Sequence, residues 1–129
     1  IRFIPPVKWE TLMRYTKIAD AGLCIEKDTN LNYRFSLPNK LFNYISAGIP
    51  VISSGMPEVK KIIEQYKCGI VINEVTAQGI KGAIKVFSES REYLNKLKQN
   101  AMLASLDVKW ESEKEILKGF YKNILNGIY

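Results

Sequence analysis

The residues best equipped for chemistry fall in one run, Ser36-Leu37-Pro38-Asn39-Lys40-Leu41-Phe42-Asn43-Tyr44-Ile45-Ser46-Ala47-Gly48-Ile49-Pro50-Val51-Ile52. Ser36 and Asn39 carry side-chain oxygens that cap free helical N–H groups, and Pro38 suits a first helical turn because its missing N–H costs nothing there. Lys40 comes next, where the helix dipole disfavours a cation. A lysine beside open N–H groups at a helix start is a seat for phosphate. Leu37, Leu41 and Ile45 recur at helical spacing and predict the packed side, leaving Asn39, Lys40 and Asn43 together on another face. Gly48 predicts a left-handed stop. Pro50 cannot continue the helix, so Val51-Ile52 begins a new element.

Other chemistries are excluded by composition. The 129 residues contain no histidine and two cysteines, so a Ser-His-Asp or Cys-His device and a His-ligated metal are absent from these residues. No catalytic residue, metal ligand or resident cofactor is assigned. Cys24 and Cys68 fit neither a disulfide framework nor a metal motif, and both are expected as buried free thiols. The net charge of +6 suits a polyanionic partner, whether a phosphorylated ligand or an anionic membrane touched peripherally. The basic residues, among them Lys60, Lys61, Lys81, Lys85, Arg91, Lys96 and Lys98, are spread over presumed helix surfaces. That spread, with no nucleic-acid signature, argues against nucleic acid. No apolar run approaches the roughly 18 residues of a membrane helix and no signal-peptide pattern is present, which makes a cytoplasmic protein the plain expectation.

These residues need a scaffold, and the chain supplies alternating strands and helices. Arg2-Phe3-Ile4 reads as a strand closed by Pro5-Pro6. Residues 10–19 read as a helix with Trp9, Leu12, Met13 and Thr16 as its apolar stripe. Residues 21–25 read as a buried strand, residues 26–35 as a polar loop, and Val51-Ile52-Ser53 as the next strand. Residues 57–66 follow as a helix seating Val59, Ile62, Ile63 and Tyr66, then Gly69-Ile70-Val71-Ile72 as the last strand. Thr76 caps a helix to about Ser90; helices over 92–105 and 110–126 complete the chain, the last burying Leu117, Phe120, Tyr121, Ile124 and Leu125. Short connections of this kind imply an α/β, Rossmann-like parallel sheet sandwiched by helices, in a single domain over residues 1–129. Ligands of such sheets bind at the carboxyl ends of the strands. The chain opens on Ile1 inside an apolar run, which reads as a piece of a longer protein.

In order, this pattern resembles the C-terminal nucleotide-sugar-binding domain of GT-B glycosyltransferases of group 1 (family 4-like). Arg2-Phe3-Ile4-Pro5-Pro6-Val7 resembles the family's strand and turn before a helix. Tyr15-Thr16-Lys17-Ile18-Ala19-Asp20-Ala21-Gly22-Leu23 resembles its "y…aD.gl" step, residues 36–52 its "slPnKlfEYla.GiPVi" core, and residues 64–72 its "…CG.vv" strand. The resemblance implies a nucleoside-diphosphate-sugar donor as ligand. Ser36, Leu37, Pro38, Asn39 and Lys40 would receive the diphosphate, with the amides of Leu37, Asn39 and Lys40 facing it and the lysine adding a point charge. Asn43 would meet the ribose, and backbone groups at Ile4 and Pro5 the base. An N-terminal domain of the same protein would hold the acceptor site and the catalytic base. The intact enzyme would pass a sugar to a glycan or lipid-linked acceptor, as in polysaccharide biosynthesis, while this chain alone would transfer none.

The sequence departs from the family pattern at one spacing. The family's paired glutamates, Glu-x7-Glu, are replaced by Phe35 and Asn43. An amide offers one acceptor where a carboxylate offers two, and a lost charge-assisted hydrogen bond costs on the order of 1–3 kcal/mol. Glu26, at the start of the polar loop, is a candidate stand-in for the first glutamate. The substitutions also leave room for a catalytically silent relative that keeps the fold as a binding or scaffold module.

Overall fold

The computed structural model describes residues 2–127. Its centre is the strand β2 (Val51–Ser54), whose four residues are all buried. β2 pairs in parallel with β1 (Gly22–Cys24) on one side and β3 (Gly69–Ile72) on the other, giving a sheet of order β1-β2-β3. Val51 lies opposite both Gly22 and Gly69 in the two registers. Those glycines are required by packing. A Cβ at Gly69 would run into the Val51 carbonyl, and one at Gly22 into the Tyr44 ring.

Side-chain alternation along β2 divides the core between the two faces of the sheet. Val51 packs with Cys24, Leu41, Ile45, Val59 and Ile63, which come from β1, α3 (Asn39–Ser46) and α4 (Pro57–Tyr66). Ile52 packs with Ile72, Ala83, Phe87, Leu94 and Leu97, drawn from β3, α5 (Ala77–Glu89) and α6 (Arg91–Asp107). The chain is therefore α/β with helices on both sides of a parallel sheet, as its alternating pattern implied.

Helix α6 does a second job along the amino-terminal ends of the strands. Ahead of β1, Asp20 is paired with Lys98 at 3.2 Å and Arg91 at 3.5 Å. Ahead of β2, Gly48 turns at φ +70° beside the Met102 side chain. Ahead of β3, the Lys67 carbonyl accepts a 2.9 Å hydrogen bond from Asn100 Nδ2. One helix thus underpins all three strand entries and closes that edge. The carboxyl-terminal edge stays open.

Several expectations are corrected. Arg2-Phe3-Ile4 forms no strand; residues 2–8 have no regular structure, and Phe3 is 90% exposed. Pro5 and Pro6 lack the N–H groups a ladder needs. β1 is only part-buried, because Leu23 faces outward on an edge strand. The polar loop contains a short helix, α2 (Leu31–Phe35), capped when Asn30 Oδ1 accepts from the Tyr33 N–H. In α1 (Trp9–Lys17) only Met13 of the stripe is buried. Leu37 is likewise exposed, since it precedes α3 rather than lying on it. The largest departure is α7 (Trp110–Leu125), which buries none of its residues. Leu117, Phe120, Tyr121, Ile124 and Leu125 are all exposed. Periodicity sets which face of a helix is apolar, and none of the described residues covers this one.

Two glycine substitutions separate close packing from helix propensity. Gly69→Ala forces a methyl into the Val51 backbone and is expected to lower stability by about 1–3 kcal/mol. Gly82 lies inside α5, with no heavy atom within 4 Å of the place a Cβ would take, so Gly82→Ala is expected to raise stability by about 0.5–1 kcal/mol. Urea unfolding midpoints of the two variants check both signs.

Candidate functional site

The open edge of the sheet carries the polar residues. Here β1 ends at Cys24 and β2 at Ser53 and Ser54, and the two serines are buried. Their hydroxyls fix the next segment. Ser53 Oγ shares its single proton between the Cys24 carbonyl at 3.1 Å and the Ser54 carbonyl at 2.8 Å. Ser54 Oγ accepts the Glu26 N–H at 3.0 Å. Buried hydroxyls are costly without partners, and these two are satisfied by holding the exit of β1 against β2. Glu26 is thereby presented beside α3.

Helix α3 begins at the same edge, because its far end leads through Gly48 into β2 at the closed one. Pro38 is its N-cap residue, in extended conformation, and no side chain caps the helix. Ser36 does not cap α3 as expected: it ends α2, and its hydroxyl donates to the Tyr33 carbonyl at 3.2 Å. Asn39 does not cap it either, being the first helical residue. Pro38 still contributes, since its ring fixes an extended entry and its carbonyl accepts the Leu41 N–H at 3.0 Å. Among the described residues, the N–H groups of Asn39 and Lys40 meet no backbone carbonyl. Two donors are left pointing out of the helix start, with the positive end of its dipole behind them.

Lys40 is ion-paired with Glu26, both side chains being partly buried. Burial works to lower the lysine's pKa, but the hydrogen bond and the charge of Glu26 outweigh it and raise the value. One turn further on, the Tyr44 ring lies over Gly22, and its hydroxyl donates to the Leu23 carbonyl at 3.3 Å. Burial raises the Tyr44 pKa against the opposing charge of Lys40. Asn43 is half-buried, and its amide makes no side-chain hydrogen bond among the described residues.

A cavity of about 400 Å³ opens over the strand ends, lined in part by Glu26, Asp28, Ser54, Gly55 and Asn73. Ile4 and Pro5 line a different hollow with Arg2, Phe3, Tyr15 and Ile18. The structure thus brings Pro38, Asn39, Lys40 and Asn43 onto one short helix and does not draw Ile4 and Pro5 into the same cavity. Among the described residues there is no cluster of His, Cys, Asp or Glu suited to a metal ion. No described helix is long and apolar enough to cross a membrane.

With this geometry in view, the comparison with protein families is decisive: the family model for glycosyl transferases, group 1, matches residues 1–103. The chain belongs to that family. Comparisons with curated proteins and with solved structures returned no match. The matched region runs from the segment before α1 into α6, and so includes the open edge and leaves α7 outside it. Membership supports glycosyltransferase activity in general and implies a nucleotide-sugar donor as ligand.

The sequence points to Lys40 but not to its partner. Glu26 and Lys40 are 14 residues apart with α2 between them, so no helical or strand periodicity links the two. The available signal is position alone, a carboxylate two residues beyond a strand at the ligand-binding edge.

The two thiols behave as buried groups. Cys68 is fully buried and its pKa is pushed up to about 11 by desolvation, while Cys24 is raised for the same leading reason. A thiol whose folded pKa is raised adds stability that is complete below the unfolded pKa and is lost as pH rises through the folded one. Stability is therefore expected to fall between about pH 9 and pH 11, with Cys68 accounting for on the order of 2 kcal/mol. Denaturant melts of wild type and Cys68→Ala across that window check it, the variant showing the shallower decline.

Proposed function

We propose that this chain is the donor-binding domain of a glycosyltransferase that moves a sugar from a nucleoside-diphosphate donor to a hydroxyl on a glycan or lipid-linked acceptor. The observation that supports this reading most is the open first turn of α3, with Lys40 beside it, at the unobstructed edge of the sheet in a group 1 family member. The donor's diphosphate sits at that turn. The N–H groups of Asn39 and Lys40 donate to its oxygens, with Ser36, Leu37 and Pro38 shaping the approach. As the bond from the sugar to the diphosphate breaks, negative charge grows on the leaving oxygens. Fixed amide dipoles and the Lys40 ammonium stabilise that charge more than the ground state, which is how they lower the barrier.

Asn43 lies one turn along α3 from Lys40 and meets the ribose with one acceptor and one donor. Backbone groups at Ile4 and Pro5 meet the base, which requires the amino-terminal segment to come over the donor. The acceptor site and the base that takes the acceptor's proton belong to another domain of the same protein, so this chain alone binds a donor without transferring sugar. The working compartment is the cytoplasm, with peripheral contact to an anionic membrane where the acceptor is lipid-linked.

A second reading, a silent relative kept as a binding or scaffold module, is favoured by one observation. Lys40 is already neutralised by Glu26, while Phe35 and Asn43 stand where the family has its glutamates.

Calorimetric titration of the intact protein with UDP, GDP and their sugar conjugates separates the two. Binding of at least one nucleotide is expected, weakened about tenfold by Lys40→Ala and strengthened severalfold by Asn43→Glu. The donor-site reading is lost if no nucleotide binds, or if Lys40→Ala leaves the affinity unchanged.

A further inference from the structure

An anion arriving at the start of α3 finds the one lysine of the first turn already occupied by a carboxylate. The position of Glu26 is no accident of a loose loop. Its backbone N–H is held by the buried Ser54 hydroxyl, and Ser53 holds the Cys24 carbonyl two residues earlier. The backbone that carries the carboxylate is thus anchored from below by the central strand. The carboxylate faces Lys40 on one side and borders the cavity over the strand ends on the other.

Different ligands disturb this arrangement differently. Bare phosphate or pyrophosphate that contacts the Lys40 ammonium must share its three N–H donors with Glu26 or displace it, and either way lies close to the carboxylate's negative charge. That outcome is unfavourable through like-charge repulsion, and displacement adds an unsatisfied acceptor. A ligand that carries hydroxyl groups next to its diphosphate meets a different balance. It binds the ammonium, and its hydroxyls donate to the Glu26 carboxylate, offsetting the hydrogen bonding that Glu26 shares or loses. We propose that Glu26 is a specificity-determining residue, a counter-ion to Lys40 that rejects bare phosphates and accepts diphosphates bearing a polyhydroxylated group. This inference rests on the donor-site reading above and deepens it, since the selectivity is built into the same helix start.

The proposal differs from a purely structural role for the ion pair, which would stabilise the fold and leave ligand preference untouched. Glu26→Gln keeps the size and hydrogen-bonding reach of the side chain and leaves the backbone bond to Ser54 in place, so the fold is retained; thermal unfolding confirms that before titration. Glu26→Asp keeps the charge and serves as the conservative control.

The test titrates intact wild type and both variants with inorganic pyrophosphate, UDP and UDP-glucose, with GDP and GDP-mannose run in parallel. Glu26→Gln is expected to bind pyrophosphate on the order of tenfold more tightly than wild type. Its preference for the nucleotides over pyrophosphate is expected to shrink by a similar factor, while Glu26→Asp stays near wild type. A shrinkage already complete with UDP assigns the hydroxyls to the ribose; one seen only with UDP-glucose or GDP-mannose assigns them to the sugar. If wild type binds a nucleotide but Glu26→Gln changes pyrophosphate and nucleotide affinity equally, or not at all, the selectivity role is overturned and the donor site stands. A wild type that ignores nucleotides while Glu26→Gln gains pyrophosphate binding overturns the donor reading and the polyol half of the proposal, keeping only the counter-ion. No binding of any probe to any of the three proteins overturns both.

Discussion

The rest of the structure depends on the burial of β2. All four of its residues are shut away from water, with parallel neighbours on both sides. A strand in that position must satisfy every polar atom internally, and its sequence, Val-Ile-Ser-Ser, divides the work. The first two residues supply one apolar side chain to each face of the sheet. The last two bring hydroxyls to the carboxyl end, where they meet the backbone of β1 and the residue beyond it. The requirement to satisfy two buried hydroxyls is therefore also what places Glu26 and, through it, the Lys40 ammonium. A core constraint becomes a site constraint within two residues.

The same logic gives the domain two unlike edges. At the strand entries, α6 reaches each of the three connecting segments by a different interaction: an ion pair at Asp20, a close van der Waals contact at Gly48, and a side-chain hydrogen bond at Lys67. This explains why Asp20, a charged residue in a recognisable motif, belongs to the architecture rather than to the ligand. Its carboxylate is turned to Lys98 and Arg91 on the closed side of the sheet. At the strand exits nothing comparable crosses among the described residues; the Ser53 and Ser54 hydroxyls are buried there, while Glu26 and Lys40 stay partly exposed. Exposed ion pairs such as those of Asp20 add little energy; their value here lies in fixing where α6 runs.

How much of this is legible in the sequence can be traced residue by residue. Helix α4, strand β3, the Thr76 cap and the Gly48 stop are readable because each is encoded locally, by periodicity, a capping hydroxyl or a residue tolerant of positive φ. The parallel sheet follows from the alternation of elements, and the family from ordered motifs spread over most of the chain. What fails is everything that depends on a neighbour. Arg2-Phe3-Ile4 has strand-like residues and no partner strand; α7 has an apolar face and no cover among the described residues. Ser36 has a capping side chain, but the preceding chain turns into α2 and claims it. Within the candidate site, Lys40 is visible because a cation at a helix start runs against the dipole and demands a reason. Its pairing with Glu26 is not visible, because the contact is made by tertiary structure.

That pairing bears on the departure at position 43. In the family pattern glutamates stand at both ends of the Glu-x7-Glu spacing, and Phe35 and Asn43 here remove two negative charges. The structure brings one carboxylate, that of Glu26, to Lys40 on the same helix from β1's exit, with the Glu26 backbone held by Ser54. One of the two lost charges thus has a counterpart beside α3. On the donor-site reading proposed above, the loss of Glu-x7-Glu does not by itself argue for lost function. The stronger constraint is geometric. Asn43 is fixed on α3, whereas the Glu26 carboxylate is held at its Lys40 ion pair, so in the proposed site recognition turns on how a ligand shares that ammonium with it.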